Sequence, residues 1–147
     1  MLVRMSGPIN EQADFSPVKF TKKPPIEIDM SELTSINSVG IRGFAEWANK
    51  LENPIIEFSH VPKFFVDQIN MIAGLIPPRS KVVSFYVPYF CPEKELEKRI
   101  LFRRGLEFDN KDGKAVLNFP QVTDDDKNQY ELDVVSEKYF AFIEDFC

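Results

Sequence analysis

Histidine, cysteine and glycine are scarce in this chain, and each scarcity removes a class of chemistry. The single histidine, His60, stands between Ser59 and Val61. A nucleophile needs a base within reach, and a lone histidine at a strand end reads as a turn or helix-start residue rather than as that base. The two cysteines, Cys91 and Cys147, show no framework spacing, so ordinary thiols are the plainer reading. Zinc needs four ligands, or three and a water, and Cys91, Cys147 and His60 would supply three only by convergence that their spacing does not suggest. Six glycines form neither GxxxxGK nor GxGxxG, so no phosphate cradle of those kinds is present. No apolar run approaches the ~20 residues that span a bilayer. Met1-Leu2-Val3-Arg4 lacks a secretory apolar segment with a small-residue cleavage site, so a cytoplasmic protein is expected.

Positive charge is also in deficit. A formal charge of −5 and a pI near 5.0 give no broad attraction to nucleic acid or to an anionic membrane. The basic residues Lys94, Lys98, Arg99, Arg103 and Arg104 cluster, but Glu93, Glu95 and Glu97 interleave them, which reads as a solvated strand face. Asp109-Asn-Lys-Asp-Gly113 resembles half of a calcium loop, yet Lys111 occupies a ligand position and Pro120 stands where a bidentate glutamate belongs. A hairpin turn is the better reading. The expectation is no cofactor, no metal, no nucleic acid and no membrane.

What the chain does have is apolar mass. Its 147 residues are 44% hydrophobic and include fourteen phenylalanines, enough for a packed core in one domain with an appendage. The organising stretch runs from Ile26 to Leu51. Ile26 and Ile28 alternate with Glu27 as a short strand over 26–29, and Ile41, Phe44, Ala45, Ala48 and Leu51 recur at helical spacing over 39–51. Asn37 and Ser38 can accept from first-turn amides, and Gly40 lets that turn pack close to the sheet. Around this unit the pattern predicts strands at 2–6, 55–58 and 82–87, an edge strand near Val18–Phe20, and a helix over 62–74. Gly7-Pro8 and Asn10 read as turn chemistry, and Lys22-Lys23-Pro24-Pro25 as a break. After Tyr89, one strand around Leu96–Arg104 and another at Lys114–Phe119 suggest a hairpin. The run Val134–Phe146 suggests a short helix with Val135, Tyr139, Phe142 and Phe146 on one side. Trp47 reads as a core-edge aromatic. The fold class is α/β, a mixed sheet with helices on one face and a small hairpin-plus-helix extension.

An aspartate ending a strand, then an apolar residue and a polar-Ser-x-Gly-apolar segment opening an amphipathic helix, resembles the STAS family of sulfate-transporter and anti-sigma-factor-antagonist domains. The matching residues are Asp29, Ile36, Asn37, Ser38, Val39, Gly40 and Ile41. A second match is the strand Ile55–Ser59 followed by the helix Val61–Leu75 ending in Ala-Gly-Leu, and Val3–Glu11 resembles the family's first strand and turn. The resemblance divides the chain into a STAS-like domain over 1–90 and an extension over 91–147. Pro88-Tyr89-Phe90-Cys91-Pro92 resembles the opening of a small zinc ribbon that has lost its further cysteine pairs. The resemblance implies a non-enzymatic module of bacterial-type signalling. Asn37, Ser38, Val39, Gly40, Arg42, Gly43 and Glu46 would contact a regulatory partner such as an anti-sigma-type kinase. The family's phosphate acceptor immediately precedes the glycine, where this chain has Val39, so the usual phosphorylation switch is expected to be absent and Ser38 to act as a helix cap. Two rivals stay open: an anion or nucleotide binder at the helix N-terminus, and a homodimer or larger self-assembly driven by Phe140, Phe142 and Phe146.

Overall fold

The computed structural model describes residues 2–15, 26–52 and 55–147. The strand expected at Val18–Phe20, the break at Lys22–Pro25 and the helix stop at Asn53-Pro54 lie outside the described residues. The α/β architecture starts with β1 (Leu2–Ile9), β2 (Ile26–Ile36), α1 (Ser38–Asn49), β3 (Ile56–Ser59), α2 (Lys63–Met71) and β4 (Ser80–Val82). Its four strands form one parallel sheet in the order β1-β2-β3-β4. Parallel neighbours need crossovers, and α1 and α2 supply two of them.

Register decides which side chains meet the helices. Ile28 pairs with Val3 and Phe58, and Phe58 pairs with Val82. From α1, the buried Phe44 packs its ring 6.3 Å from Phe58 and 5.1 Å from Phe65 of α2. One ring therefore touches the sheet and the neighbouring helix, which sets α1 and α2 side by side on the same face. Gly40, Phe44 and Ala48, each a helical turn apart, form the buried stripe of α1. Strand alternation turns the next row, Arg4, Asp29 and Ser59, to the opposite face.

Two strands run further than local chemistry suggests. β1 continues through Gly7-Pro8 with register shifts between Arg4 and Ser6 and between Gly7 and Pro8, and Gly7 takes a φ of +76°, which its missing Cβ permits. The turn begins only at Asn10. β2 continues past Asp29 to Ile36 because Glu32, Leu33, Ser35 and Ile36 find partners between Ser6 and Ile9.

The run from Lys81 to Pro88, expected as one interior strand, is two. At Val83 the chain changes sheet: its amide donates to the Phe58 carbonyl at 2.8 Å, while its own carbonyl accepts from Arg104 at 3.0 Å. Beyond it, β5 (Ser84–Cys91) enters an antiparallel sheet ordered β6-β5-β10-β9, with β6 (Leu96–Arg103), β9 (Val122–Thr123) and β10 (Gln129–Leu132). The described strands are thus divided among separate sheets instead of forming one mixed sheet. Leu96–Arg103 forms its hairpin with β5, pairing from Cys91↔Leu96 to Ser84↔Arg103, so the expected pairing with Lys114–Phe119 does not occur. The strand at 114 instead pairs as β8 (Lys114–Leu117) with β7 (Phe108–Lys111). Their turn is only Asp112-Gly113, at φ +56° and +80°, as a two-residue type I′ turn requires.

The closing segment is broken into α3 (Ser136–Tyr139) and α4 (Ile143–Phe146). Tyr139, Phe140, Phe142 and Ile143 are at most 4% exposed, whereas Val135 is 59% exposed. The break lets Phe140 and Phe142 both turn inward, which one straight helix would not. Phe140 and Phe142 are therefore interior, whereas Phe146 is partly exposed. The expected boundary at 90/91 passes through β5, and one continuous hydrophobic cluster runs from Met5 to Ile143.

Two members of the basic cluster are ion-paired within the chain and two lie over aromatic rings. Lys94 pairs with Asp124 and Asp126 at 2.9 and 2.7 Å, and Arg103 pairs with Glu107 at 3.0 Å. Lys98 lies over Tyr130 and Arg99 over Tyr86. Among the described residues no helix is long and apolar enough to cross a membrane.

Candidate functional site

The corner between β2 and α1 is built by Asn37. Its backbone is extended, its Oδ1 accepts from the Gly40 amide at 2.8 Å, and its Nδ2 donates to Glu11 Oε2 at 2.9 Å. This is an N-cap, and it satisfies one of the amides a helix start leaves unpaired. Ser38 is the first helical residue, exposed, with its hydroxyl outside the cap, so the capping expected of Ser38 belongs to Asn37 alone. The Glu11 carboxyl is held below its ordinary value first by its own amide and then by Asn37. Asn37→Ala is expected to cost about 1 kcal/mol of stability, read as a lower thermal midpoint. A cost near zero would mean that Ser38 takes over the cap.

Of the residues expected to contact a partner, the structure gathers Asn37, Ser38, Arg42 and Glu46 along one wall of a groove of about 590 Å³ between α1 and α2. Ile36, Ile41, Ala45 and Ile72 give it an apolar floor, and Gln68 closes the far wall. Val39 stands beside it, 59% exposed. Gly40 and Gly43 are not part of it: Gly40 packs against the backbone of Ile9, and Gly43 faces the ring of Phe15. Gln68 and Ile72 were missed as site residues. They are one helical turn apart, but their turn of α2 gains meaning only once α1 lies beside it. Trp47 is half-buried with its ring stacked on Phe15 at 5.1 Å, the core-edge position its spacing suggested.

A second polar centre lies on the other face of the parallel sheet. Asp29 is 6% exposed. Burial pushes its carboxyl up, but the Ser31 amide and hydroxyl, Arg4 and the nearby His60 together hold it below its ordinary value. The Ser31 amide donates to it at 2.9 Å and Arg4 Nε at 3.2 Å. His60 follows β3 in the left-handed region, φ +52°, with Nδ1 3.4 Å from Asp29 Oδ1. That approach is electrostatic, since Nδ1 makes no hydrogen bond there. The lone histidine thus serves as a turn residue, as its position suggested, with a carboxylate neighbour that the sequence did not signal. A carboxyl whose native value is lowered adds stability that is complete above its unfolded value, near 3.9, and is lost as pH falls through the native one. Asp29→Asn is accordingly expected to cost about 1–3 kcal/mol at neutral pH, a penalty that fades at acid pH as the native carboxyl is protonated, as read from urea midpoints. An equal penalty at both pH values would assign the effect to packing instead.

Cys91 is buried in β5, and Cys147 has its Sγ 3.9 Å from Asp109 Oδ1; both are free thiols. Burial, opposed by the nearby cations Arg104 and Lys81, pushes the Cys147 thiol up. Among the described residues no three histidine, cysteine or carboxylate side chains converge as metal ligands. Comparison of the chain with family models, curated proteins and solved structures finds no match.

Proposed function

We propose that the chain is a STAS-like, non-enzymatic interaction module of bacterial-type signalling, acting in the cytoplasm. It binds a regulatory protein partner, of the anti-sigma-type kinase class, through the corner at 37–40 and the outer face of α1. The observation that carries this reading is the groove: Asn37, Ser38, Arg42 and Glu46 form one polar wall above an apolar floor. Depleted charge at the centre with a polar rim is the anatomy of a protein-binding patch. The anion-binding rival has less support, because the Gly40 amide that an anion would use is already held by Asn37 at 2.8 Å. Binding proceeds without the phosphorylation switch, since Val39 has no hydroxyl to accept a phosphate.

The test is affinity capture of the full-length protein from its native cell, comparing wild type with Ala45→Arg and Val39→Asp and mapping phosphate on Ser38 by mass spectrometry. The expected result is a wild-type partner lost from both variants, with Ser38 unmodified. Retention of the same proteins by Ala45→Arg would overturn the groove as the site. Substantial phosphate on Ser38 that abolishes capture would overturn the switch-free reading.

A further inference from the structure

His60 occupies the position at which the chain after β3 changes neighbours. Asp29↔Ser59 is the last pair between β2 and β3, and Val61 already bridges to Phe85 of β5. Between them His60 turns through the left-handed region, and hydrogen bonds fix it there. Its amide donates to Ser84 Oγ at 2.8 Å, the Val61 amide to the Ser84 carbonyl at 3.2 Å, and the Tyr86 amide to the Val61 carbonyl at 2.9 Å. Histidine is among the few residues besides glycine that tolerate this conformation. The imidazole is thereby held at the carboxyl end of a parallel strand, the side of an open α/β sheet on which ligands gather.

The two ring nitrogens differ. Nδ1 is buried and faces Asp29 Oδ1 at 3.4 Å, whereas Nε2 is neither buried nor hydrogen-bonded among the described residues. A carboxylate beside Nδ1 favours the tautomer with its proton there, which leaves the Nε2 lone pair facing water. Asp29 is itself held in place by the Ser31 amide and by Arg4 Nε. Two guanidiniums flank this pair. Arg4 gives only Nε to Asp29, and Arg99 lies 4.2 Å over the Tyr86 ring, which stands 6.2 Å from the His60 ring. The Arg99 guanidinium makes no hydrogen bond or ion pair among the described residues. A buried carboxylate behind an imidazole whose outer nitrogen is free is the arrangement of an activated nucleophile, and guanidiniums beside it favour an electrophile that carries negative charge.

We propose that His60 Nε2 is a phosphoryl acceptor, charged by an N-phosphoryl donor. The Nε2 lone pair attacks phosphorus, and the new N–P bond forms as the donor's own N–P bond breaks. The donor, protonated on its nitrogen, releases a neutral amine with the electron pair of the broken bond. The imidazole becomes an imidazolium whose Nδ1–H faces Asp29, which stabilises the charge, while Arg99 and Arg4 supply N–H groups to the phosphoryl oxygens. This site lies on the face of the parallel sheet away from α1 and α2, and it does not depend on the partner-binding reading of the corner.

His60 is the only histidine, so a histidine label has one possible position. The experiment incubates the full-length folded protein, and the same chain unfolded in urea, with potassium phosphoramidate at neutral pH. Incorporation is followed by phosphorus NMR, and the site is mapped by mass spectrometry without acid. The expected result is labelling on Nε2 about tenfold faster in the folded chain than in the unfolded one, with Asp29→Asn and Arg99→Ala each slower by at least about threefold. Nitrogen NMR of the single histidine is expected to show the Nδ1–H tautomer in the wild type and a shift toward Nε2–H in Asp29→Asn, which a packing role alone would not produce. His60→Asn keeps a side chain suited to the left-handed turn and is expected to take no label. Equal rates in the folded and unfolded chains would overturn the proposal, as would label on Nδ1 or an Nε2–H tautomer in the wild type. Should Asp29→Asn fail to fold, the wild-type tautomer and the Arg99→Ala rate decide the matter, and an unchanged rate in Arg99→Ala would then overturn it.

Discussion

Gly40→Ala is expected to cost at least about 3 kcal/mol, and the variant is expected to be largely unfolded under conditions where the wild type is native. A Cβ at this position would lie 2.1 Å from the Ile9 carbonyl oxygen, 2.3 Å from its carbon and 2.6 Å from the Asn10 nitrogen. All three atoms are backbone, so no side chain can swing away to relieve the overlap. Nor can Ile9 retreat freely, because its carbonyl accepts the Asn37 amide at 3.0 Å and Asn37 is the helix cap. Relief therefore means parting α1 from β1. Alanine would add about 1 kcal/mol of helix propensity, too little to offset this. Gly43→Ala is the internal control, since its Cβ would come no nearer than 3.8 Å to Phe15. That variant is expected to be neutral or up to about 1 kcal/mol more stable. The sole tryptophan, Trp47, is stacked on Phe15 and reports on this region in a urea titration followed by fluorescence. A Gly40→Ala midpoint close to the wild-type value would refute the close-approach argument.

Phe85→Ala should be the most damaging truncation in the antiparallel part, costing about 3–5 kcal/mol. The Phe85 ring is fully buried and lies 4.9 Å from both Phe108 and Phe142, with Phe102, Tyr139 and Phe140 between 5.7 and 6.1 Å. It thus joins β5 to β6, to the β7–β8 hairpin and to the closing helices. The backbone of Val61, just ahead of α2, also bridges to that of Phe85, which ties β5 to the parallel half. If the two halves form one cooperative unit, the loss will appear as a single transition with the Trp47 signal displaced along with far-UV circular dichroism. A Trp47 transition that stays in place while the rest melts early would show that the C-terminal part unfolds on its own.

Acid sensitivity centred on Asp29 and the cap loss at Asn37 are smaller effects, because each concerns one polar cluster near the surface of the sheet. The Gly40 and Phe85 variants instead attack the two places where elements distant in sequence are forced together.

What the sequence determined by itself is the local part of the design. The apolar spacing of Phe44 and Ala48 placed α1, and that of Phe65 and Ile69 placed α2, because a helical stripe must face a core wherever that core lies. Asn37 announced the helix start and Gly40 a close approach, since a side-chain cap and a missing Cβ are properties of a few adjacent residues. The strands at 2, 26 and 56 were legible for the same reason. Only the tertiary structure decided which strands are neighbours. A period of two says that a segment is half-buried and is silent about its partner, so nothing local marks Val83 as the point where the chain leaves one sheet for another. In the same way, nothing local marks Leu96–Arg103 as the partner of β5. The inward turn of Phe140 and Phe142 depends on a break that packing against Phe85 imposes on a segment whose spacing suits one helix. The candidate site followed that division: its corner could be read from residues 37–40, while the contribution of Gln68 and Ile72 came into being when two helices docked on one face of a sheet.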